Sequence, residues 1–552
     1  MKLKVVFFVS LLYWISFFVS SAPLPPSVQN EIEAQQQQRL ENIKQQQNQL
    51  ENLTPLPTLP DTSNEDDSTC FEINSITYSG NELFSDEALN QHIRFTPTCL
   101  GLGGINGLLR NITNYYIEHG YVTSRAYLTP QDLNSGVLNM VILEGKLQEV
   151  QLNGQPSSML KFAFPFLAGR KLNLRDIEQG LDQINRLSRY NAQIKLLPAQ
   201  QQGYTIVDIQ TQDQGLVSGS FGFNNGGSES TGETQLSAAA SAENGLGGLE
   251  QVSLSTGKSS EFNSSFDSES LNFSANLPFG YWTYSYQMTY SSYQSAFENN
   301  GFSIDTDGRT DVYQLGANYL FFRNSQTKAT LTSNLSHRRE NNYLLGTKLD
   351  SSSRNLTHFS VGMELSTRVG QGFITVMPKY SKGTTWFNAL GDSGRSNGAP
   401  VSKFDKAELT LSYTYPLLPA VRYSSTLFAQ WSNDTLFGNQ RMSIGGEYSV
   451  RGFKSVSLSG DEGYYWRNEV NYQMGQWPVI GQVSAVLALD TGSIVPDSQD
   501  KFERGSLLGT SLGFMTRHSY YSSSVSLGFP LQSPSRLPTD DYVINYQIRF
   551  ML

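Results

Sequence analysis

Charged residues, cysteine and histidine are scarce in this sequence. Of its 552 residues, 16% are charged, 2 are cysteine and 5 are histidine. The histidines lack the spacing of metal ligands and no P-loop occurs, so we predict no metal, no cofactor and no enzymatic activity. The formal net charge of −10 also argues against a nucleic-acid partner, because binding phosphates requires a basic surface.

One motif resembles a catalytic sequence. Gly391-Asp392-Ser393-Gly394 matches the nucleophile tetrapeptide of serine proteases. It lies in a stretch rich in glycine, serine and asparagine, without aligned His and Asp partners. We therefore interpret it as a turn between strands.

Long apolar runs are missing after the N-terminus, and the mean hydropathy is −0.35. This composition excludes a bundle of transmembrane helices. The one long run, residues 5–19, follows Lys2 and Lys4 and precedes small residues. The pattern predicts a secretory signal peptide over residues 1–21, cut after Ser21.

The two cysteines, Cys70 and Cys99, are close in sequence. A secreted chain enters an oxidising compartment, where such a pair usually forms a disulfide. We expect a disulfide within one small domain; free structural thiols are the alternative.

Aromatic residues and glycine are abundant, with 28 Tyr, 31 Phe and 47 Gly. From about residue 216 to residue 552, apolar and polar residues alternate in many short runs; Leu409 and Leu411, for example, alternate with Glu408 and Thr410. Apolar residues on one face and polar residues on the other are typical of a transmembrane β-barrel. We predict sixteen antiparallel strands, eleven before an inserted loop at about 433–462 and five after it.

Two short segments carry the main functional signal. One ends the glycine-rich loop with Val450-Arg451-Gly452-Phe453, and the other ends a strand-like run with Leu489-Asp490-Thr491-Gly492. The alternation in that strand turns Asp490 toward the lumen, where Arg451 could supply a forked ion pair. The alternative is a solvated Arg451 and an Asp490 that caps a turn.

These two segments resemble the V-R-G-Y/F loop signature and the companion strand motif of the Omp85 superfamily of outer-membrane barrels. Within it, nearly the whole mature chain resembles the TpsB transporters of two-partner secretion. The resemblance implies that Arg451 and Asp490 hold the loop against the inner barrel wall. The residues beside them would shape this contact: Val450, Gly452 and Phe453 in the loop, and Leu489 and Gly492 in the strand.

Residues 27–53 form a glutamine-rich segment without internal proline or glycine, which predicts a helix. Because this helix is polar on nearly every face, it has little to gain from a dry core. At about 1.5 Å per residue it would extend about 40 Å. A solvated or coiled-coil spacer is the alternative; the resemblance implies a plug in the barrel lumen, tethered by a proline-containing linker at 54–69.

Two compact α/β units are expected between linker and barrel. Residues 70–147 show a β-α-α-β-β order, and residues 148–215 contain a helix capped by Asn173 and followed by strands. Both units resemble POTRA domains. Their exposed strand edges could accept an extended peptide by β-augmentation.

Taken with the fold, the resemblance implies a function in the outer membrane of a Gram-negative bacterium. A pore with periplasmic POTRA domains would export one large unfolded exoprotein, of haemolysin, adhesin or contact-dependent inhibition toxin type, without nucleotide hydrolysis. Outer-membrane lipid and the barrel assembly machinery are the other expected partners of a monomeric chain. The alternatives are an Omp85 assembly factor that inserts other barrels, and a passive porin.

Overall fold

The computed structural model shows an N-terminal helix, two small α/β domains and a β-barrel, in that order. The residues it describes are 26–51, 59, 69–165, 167–212, 214–261, 266–299, 302–396, 398–454, 456–496 and 504–552. The predicted signal peptide and most of the predicted linker lie outside the described residues.

The N-terminal helix α1 comprises Pro26–Glu51. Its interior is rich in glutamine, glutamate and other good helix formers and contains no glycine. Residues spaced by three, four or seven positions form its buried stripe, which includes glutamines: Val28, Ile32, Gln36, Ile43, Gln47 and Leu50. Among the described residues, no helix is both long and apolar enough to span a membrane.

Domain 1 packs two helices against small sheets. Its elements are β1 (Cys70–Ile73), β2 (Ser75–Ser79), α2 (Asp86–Ile93), β3 (Thr98–Gly101), α3 (Leu102–Glu118), β4 (Arg125–Leu128) and β5 (Val137–Leu143), with a 3-10 turn at Leu133–Ser135. One sheet has the order β2-β5-β4, and β1 pairs with β3. Ile112 and Tyr116 of α3 pack with Leu138 and Met140 of β5 in the core. A disulfide between Cys70 and Cys99 joins β1 to β3.

Domain 2 has the sheet order β6-β8-β7. Its elements are β6 (Lys146–Leu152), α4 (Leu160–Ala163), α5 (Leu174–Asn185), β7 (Gln193–Pro198) and β8 (Tyr204–Gln210). The Asn173 side chain caps α5 by accepting a bond from the Arg175 amide, 2.9 Å away. Because only Glu144 and Gly145 separate β5 from β6, the predicted boundary after residue 147 falls inside β6.

A buried ion pair fixes domain 2 against domain 1. The Lys171 ammonium lies 2.6 Å from the Glu144 carboxylate and 3.2 Å from that of Glu82. Burial by itself lowers the pKa of Lys171, but the two carboxylates outweigh it and hold that pKa above its usual value. Asn173 also donates to the His119 carbonyl at 3.1 Å. The two domains therefore form one unit.

The barrel is a closed antiparallel sheet. Its strands before the inserted loop are β9 (Val217–Asn224), β10 (Gln235–Glu243), β11 (Gln251–Ser259), β12 (Asp267–Phe279), β13 (Trp282–Asn299), β14 (Phe302–Arg323), β15 (Thr327–Leu344), β17 (Arg354–Val369), β18 (Gly372–Thr384), β19 (Asp405–Leu418) and β20 (Val421–Trp431). The two-residue β16 (Thr347–Lys348) pairs with the end of β15.

A long inserted loop, residues 432–462, follows β20. It contains the short strands β21 (Met442–Ile444) and β22 (Leu458–Gly460), which pair with each other. The barrel then continues with β23 (Gly463–Trp477), β24 (Gly481–Ile494), β25 (Gly505–Arg517), β26 (Tyr521–Gln532) and β27 (Val543–Met551). Since β27 pairs with β9, the described strands close a cylinder of sixteen, and the predicted division into eleven and five is confirmed.

Alternation along the strands separates two surfaces. In β19, Lys406, Glu408 and Thr410 are buried inside the barrel, whereas Leu411 is exposed on the outside. Polar residues therefore line the lumen, and apolar residues form the outer surface of the barrel.

Candidate functional site: the barrel lumen

Residues 432–462, called the lock loop below, fold back against the inner wall of the barrel. Their apolar residues share one buried cluster with wall residues: Phe428, Met442, Ile444, Val450, Phe453, Leu458, Tyr465, Ile494 and Leu507. The lock loop is therefore packed on the wall by its own small core, which fixes where its tip lies.

The tip of the lock loop places Arg451 against Asp490 of β24. Arg451 donates from Nε to Oδ2 at 2.6 Å and from Nη2 to Oδ1 at 2.8 Å, and its backbone amide donates to Oδ2 at 3.2 Å. Leu489, the neighbour of Asp490, is 52% exposed on the outer face, whereas Asp490 is 0% exposed inside. The ion pair is bidentate and buried, the geometry in which an Arg–carboxylate contact is most specific.

Further polar groups complete this contact. Arg451 Nη1 donates to Glu469 Oε2 at 2.9 Å, and the Asn468 amide donates to Asp490 Oδ1 at 3.1 Å. Next to them, Arg467 donates to the Glu447 carbonyl at 2.6 Å. Removing Arg451 would leave a buried carboxylate without its cation, which is far more costly than losing an exposed ion pair.

Glycines let the loop tip approach the wall. Gly452 has φ +97°, and a Cβ there would lie 2.4 Å from the Phe529 carbonyl oxygen. On the wall side, a Cβ at Gly509 would lie 1.9 Å from the Arg451 carbonyl oxygen, and one at Gly528 would lie 2.8 Å from the Gly452 Cα. The tip therefore fits only a wall without side chains at these positions.

The remaining motif residues lie around the same contact. Val450 and Phe453 are buried in the loop's apolar cluster. Gly492 faces Val450, since a Cβ at Gly492 would lie 3.0 Å from Val450 Cγ2. The structure thus brings every predicted loop and strand motif residue except the outward Leu489 into one contact.

Sequence reasoning missed Glu469, Gly509 and Gly528. The inward position of Glu469 could have been inferred from β23, where exposed Tyr464 and Trp466 alternate with inward residues. For the two glycines, the only signal was glycine inside a strand, which often marks a close backbone approach.

Helix α1 lies inside the lumen and contacts the lock loop and the wall beside it. Gln36 Nε2 donates to the Ser443 carbonyl of β21 at 2.9 Å. Arg39 donates to the Tyr465 hydroxyl at 2.7 Å, and its guanidinium carbon lies 3.7 Å from the centre of the Phe428 ring. Both aromatic rings belong to the cluster that holds the lock loop.

Other polar side chains of α1 reach the barrel wall. Gln47 donates to Thr414 at 2.8 Å, Gln46 donates to Glu364 at 3.1 Å, and Glu31 forms an ion pair with Arg338. A cavity of about 680 Å³ lies between α1, the lock loop and the wall strands near β9 and β27, where the barrel closes. A glutamine-rich surface suits this lumen because the surrounding groups are polar.

Domain 2 is docked on one end of the barrel, mainly through residues of α5. Gln183 donates to the Gly280 carbonyl in the β12–β13 turn at 3.1 Å. Arg323, at the end of β14, donates to Asp182 at 2.5 Å. After α5, Arg189 donates to the Glu243 carbonyl at the β10 end at 2.7 Å. Three consecutive hairpins thus hold domain 2 at the barrel mouth.

A barrel with an apolar exterior, a polar lumen filled by a helix and a buried Arg–Asp contact, preceded by two α/β domains, defines a transporter of the outer membrane. The chain belongs to the family described as "Haemolysin secretion/activation protein ShlB/FhaC/HecB", whose model matches residues 203–516. Residues 71–145 match the "POTRA domain, ShlB-type", and residues 146–198 match a POTRA domain.

Curated relatives match over nearly the full chain. Outer membrane transporter CdiB of Dickeya dadantii is 36% identical over 96% of this chain and 95% of its own. CdiB of Escherichia coli is 37% identical over 97% of this chain and 92% of its own. More distantly, the hemolysin transporter protein ShlB of Serratia marcescens is 27% identical over 88% of this chain and 85% of its own.

Solved structures agree with these relatives. The structure of CdiB from Escherichia coli has a TM-score of 0.93 at 36% identity and covers 97% of this chain and 100% of its own. That of CdiB from Acinetobacter baumannii, with a TM-score of 0.78, 23% identity and coverage of 96% and 100%, shares the fold. The predicted fold class and family are confirmed. The chain is an outer-membrane transporter of two-partner secretion, with its POTRA domains in the periplasm.

Proposed function

We propose that the barrel exports one large unfolded exoprotein through the lumen that α1 occupies, and that α1 leaves the lumen during export. The observation that carries this proposal is how α1 is held. Individual polar side chains such as Gln36, Arg39 and Gln47 bond to the loop and the wall. A bond between neutral groups contributes only about 0.5–1.5 kcal/mol and one from a charged group about 1.5–3 kcal/mol, because water can replace it. The buried apolar residues of its stripe, such as Ile32 and Ile43, belong to none of the hydrophobic clusters of the described residues, so a plug held in this way is displaceable.

The client docks in the periplasm on strand edges of the two POTRA domains. Strands β4 and β7 each lie at an edge of their sheets, in the orders β2-β5-β4 and β6-β8-β7. An edge strand offers unpaired backbone groups that an extended, unfolded segment can pair with. Domain 2 is docked at the barrel mouth through Gln183 and Arg189, so a client bound there is delivered to the lumen entrance.

The lock contact keeps the loop on the wall while the client passes. Arg451 and Asp490 are both buried and joined by two side-chain hydrogen bonds. If the contact were absent, the loop tip would be free to leave the wall and narrow the path. The client folds outside the cell, and this folding supplies direction without nucleotide hydrolysis.

Replacing Arg451 by alanine tests this role. The variant is expected to yield a folded barrel in the membrane but to export at least tenfold less client, because Asp490 loses its buried partner. Surface yield of client is measured beside barrel abundance on a heat-modifiability gel. Arg451→Lys serves as the matched control, since it keeps the charge but loses the fork, and it should recover only part of the export.

An exchanged pair, Arg451→Asp with Asp490→Arg, tests direct contact. Recovery of export above that of each single variant would support the pairing. Full export from Arg451→Ala would show that the lock contact has no role in transport.

The surroundings of the transporter follow from its outer face. Leu487, which is 58% exposed, and its apolar neighbours contact lipid. The barrel assembly machinery inserts the chain into the membrane. The transporter works as a monomer and has no enzymatic activity. The client is one exoprotein of haemolysin, adhesin or contact-dependent inhibition toxin type. Deleting the chain should abolish secretion of that one protein, whereas an assembly factor would affect many barrels and a porin would affect solute uptake.

A further inference from the structure

The C-terminal end of α1 lies among basic side chains of the barrel wall. Lys328 Nζ donates to Gln49 Oε1 at 3.0 Å, and Arg368 donates to the Leu50 carbonyl at 3.2 Å. Arg422 lies 3.6 Å from the Glu51 carboxylate. A helix carries partial negative charge at its C-terminus, and the last turn of α1 has no basic residue of its own. The wall therefore supplies the cations that the helix lacks.

One of these cations also binds domain 2. Lys328 Nζ lies 2.5 Å from Asp182 Oδ2 of α5, and the same oxygen accepts from Arg323 Nη1 at 2.5 Å. The Lys328 side chain is 5% exposed. A single buried ammonium of the barrel wall is thus shared by the plug helix and domain 2.

We propose that Lys328 is a positioning residue that couples the docking of domain 2 to the retention of α1. A buried ammonium needs a counter-charge, and Asp182 supplies it; the amide oxygen of Gln49 alone does not. If α5 shifts, Lys328 loses its carboxylate, turns away toward water and no longer donates to Gln49. The inference rests on the proposed function, in which α1 must leave the lumen.

The same coupling acts in reverse. Binding free energies at two linked sites are reciprocal, so removing α1 must weaken the docking of α5 by the same factor. Binding of the client to domain 2 then favours release of the plug, and release of the plug favours undocking of domain 2. The periplasmic signal reaches the lumen through a single side chain.

Neighbouring residues provide matched controls. Like Asp182, Glu178 of α5 accepts a hydrogen bond from Arg323, here at 3.3 Å, and it also accepts one from Arg175. In the part of the chain that the structure describes, Asp182 bonds to the wall and not to α1. Arg368 bonds to the plug backbone. An effect of Asp182 on the plug that Glu178 lacks would therefore have to pass through Lys328.

The test measures plug occupancy in the full-length protein, as the open fraction of single channels in planar bilayers. Asp182→Asn and Lys328→Gln should each raise the open fraction about fivefold or more, and their combination should do no more than either alone. Glu178→Gln should remain within about twofold of the parent, and Lys328→Arg should restore closure. A parental open fraction in Asp182→Asn, or fully additive effects, would overturn the proposal.

Two further measurements separate the possible failures. Deleting residues 26–51 should speed hydrogen exchange in α5, Leu174–Asn185, while barrel folding stays intact on a heat-modifiability gel; unchanged exchange would contradict the coupling. Two separate variants, the same deletion and Arg368→Gln, test whether α1 closes the channel. If both leave the channel closed, the proposed function fails; if they open it while Asp182→Asn does not, only the coupling through Lys328 fails.

Discussion

At the residue scale, the proposed function depends on a few groups that meet where the loop tip touches the wall. Arg451 donates hydrogen bonds from Nε and Nη2 to the two carboxylate oxygens of Asp490, and from Nη1 to Glu469. Gly452 and Gly509 allow the backbones around this ion pair to touch. The ion pair and the glycines depend on each other, because the fork reaches Asp490 only when the loop tip lies on the wall.

A methyl group at residue 509 should therefore release the lock. In Gly509→Ala the new Cβ would meet the Arg451 carbonyl oxygen at 1.9 Å, so the tip must move away from the wall. We expect export to fall to the level of Arg451→Ala while the barrel still assembles, as measured by client yield beside barrel abundance.

Gly513→Ala is the matched control, on the same strand and the same face. Its nearest neighbour would be the Ser526 Cβ at 3.4 Å, an ordinary contact. Equal losses in both variants would mean that strand glycine itself, and not the loop tip, is required.

The sequence could predict Arg451 and Asp490 because each lies in a recognisable local pattern. It could not predict Glu469 as a third partner, because its side chain reaches Arg451 only after β23 and β24 pair. Gly509 and Gly528 were beyond prediction for the same reason, since what approaches them comes from a distant segment.

At the element scale, α1 shows why a helix can be predicted and its position cannot. Its composition favours helix, and the helix is present over Pro26–Glu51. A stripe that alternates Ile32 and Ile43 with Gln36 and Gln47 suits a solvated spacer as well as a polar lumen. Only the wall partners, such as Thr414, distinguish the two.

Helix α5 makes the docking of domain 2 sensitive to acid. Burial by itself raises the pKa of Asp182, but the ammonium of Lys328 and the guanidinium of Arg323 outweigh it and hold that pKa below its usual range. The ionised carboxylate therefore stabilises docking above the free-aspartate pKa of about 3.9 and loses this contribution as the pH falls further.

We expect the distance between dyes on domain 2 and on the barrel to be constant from neutral pH down to about 4 and to lengthen or broaden below it. Asp182→Asn should lack this acid transition. A transition of the same size in Asp182→Asn would assign it to other carboxylates.

At the scale of the whole molecule, the order of parts was predictable and their attachment was not. Alternation repeated over many strands predicts a barrel of sixteen, and the structure has that number among its described residues. The docking of domain 2 depends on turns such as the one at Gly280 and on single side chains such as Arg323. These contacts carry no local sequence pattern, because each joins segments far apart in the chain.

If α1 must leave the lumen for export, holding it there covalently should stop export. Gln47 Nε2 lies 2.8 Å from Thr414 Oγ1, so cysteines at both positions can be joined by a short bifunctional thiol reagent, while the native Cys70–Cys99 disulfide does not react. The single variant Gln47→Cys, treated alike, is the control. We predict that the joined protein exports no client and that cleaving the reagent restores export; undiminished export with the helix still joined to the wall would contradict the account.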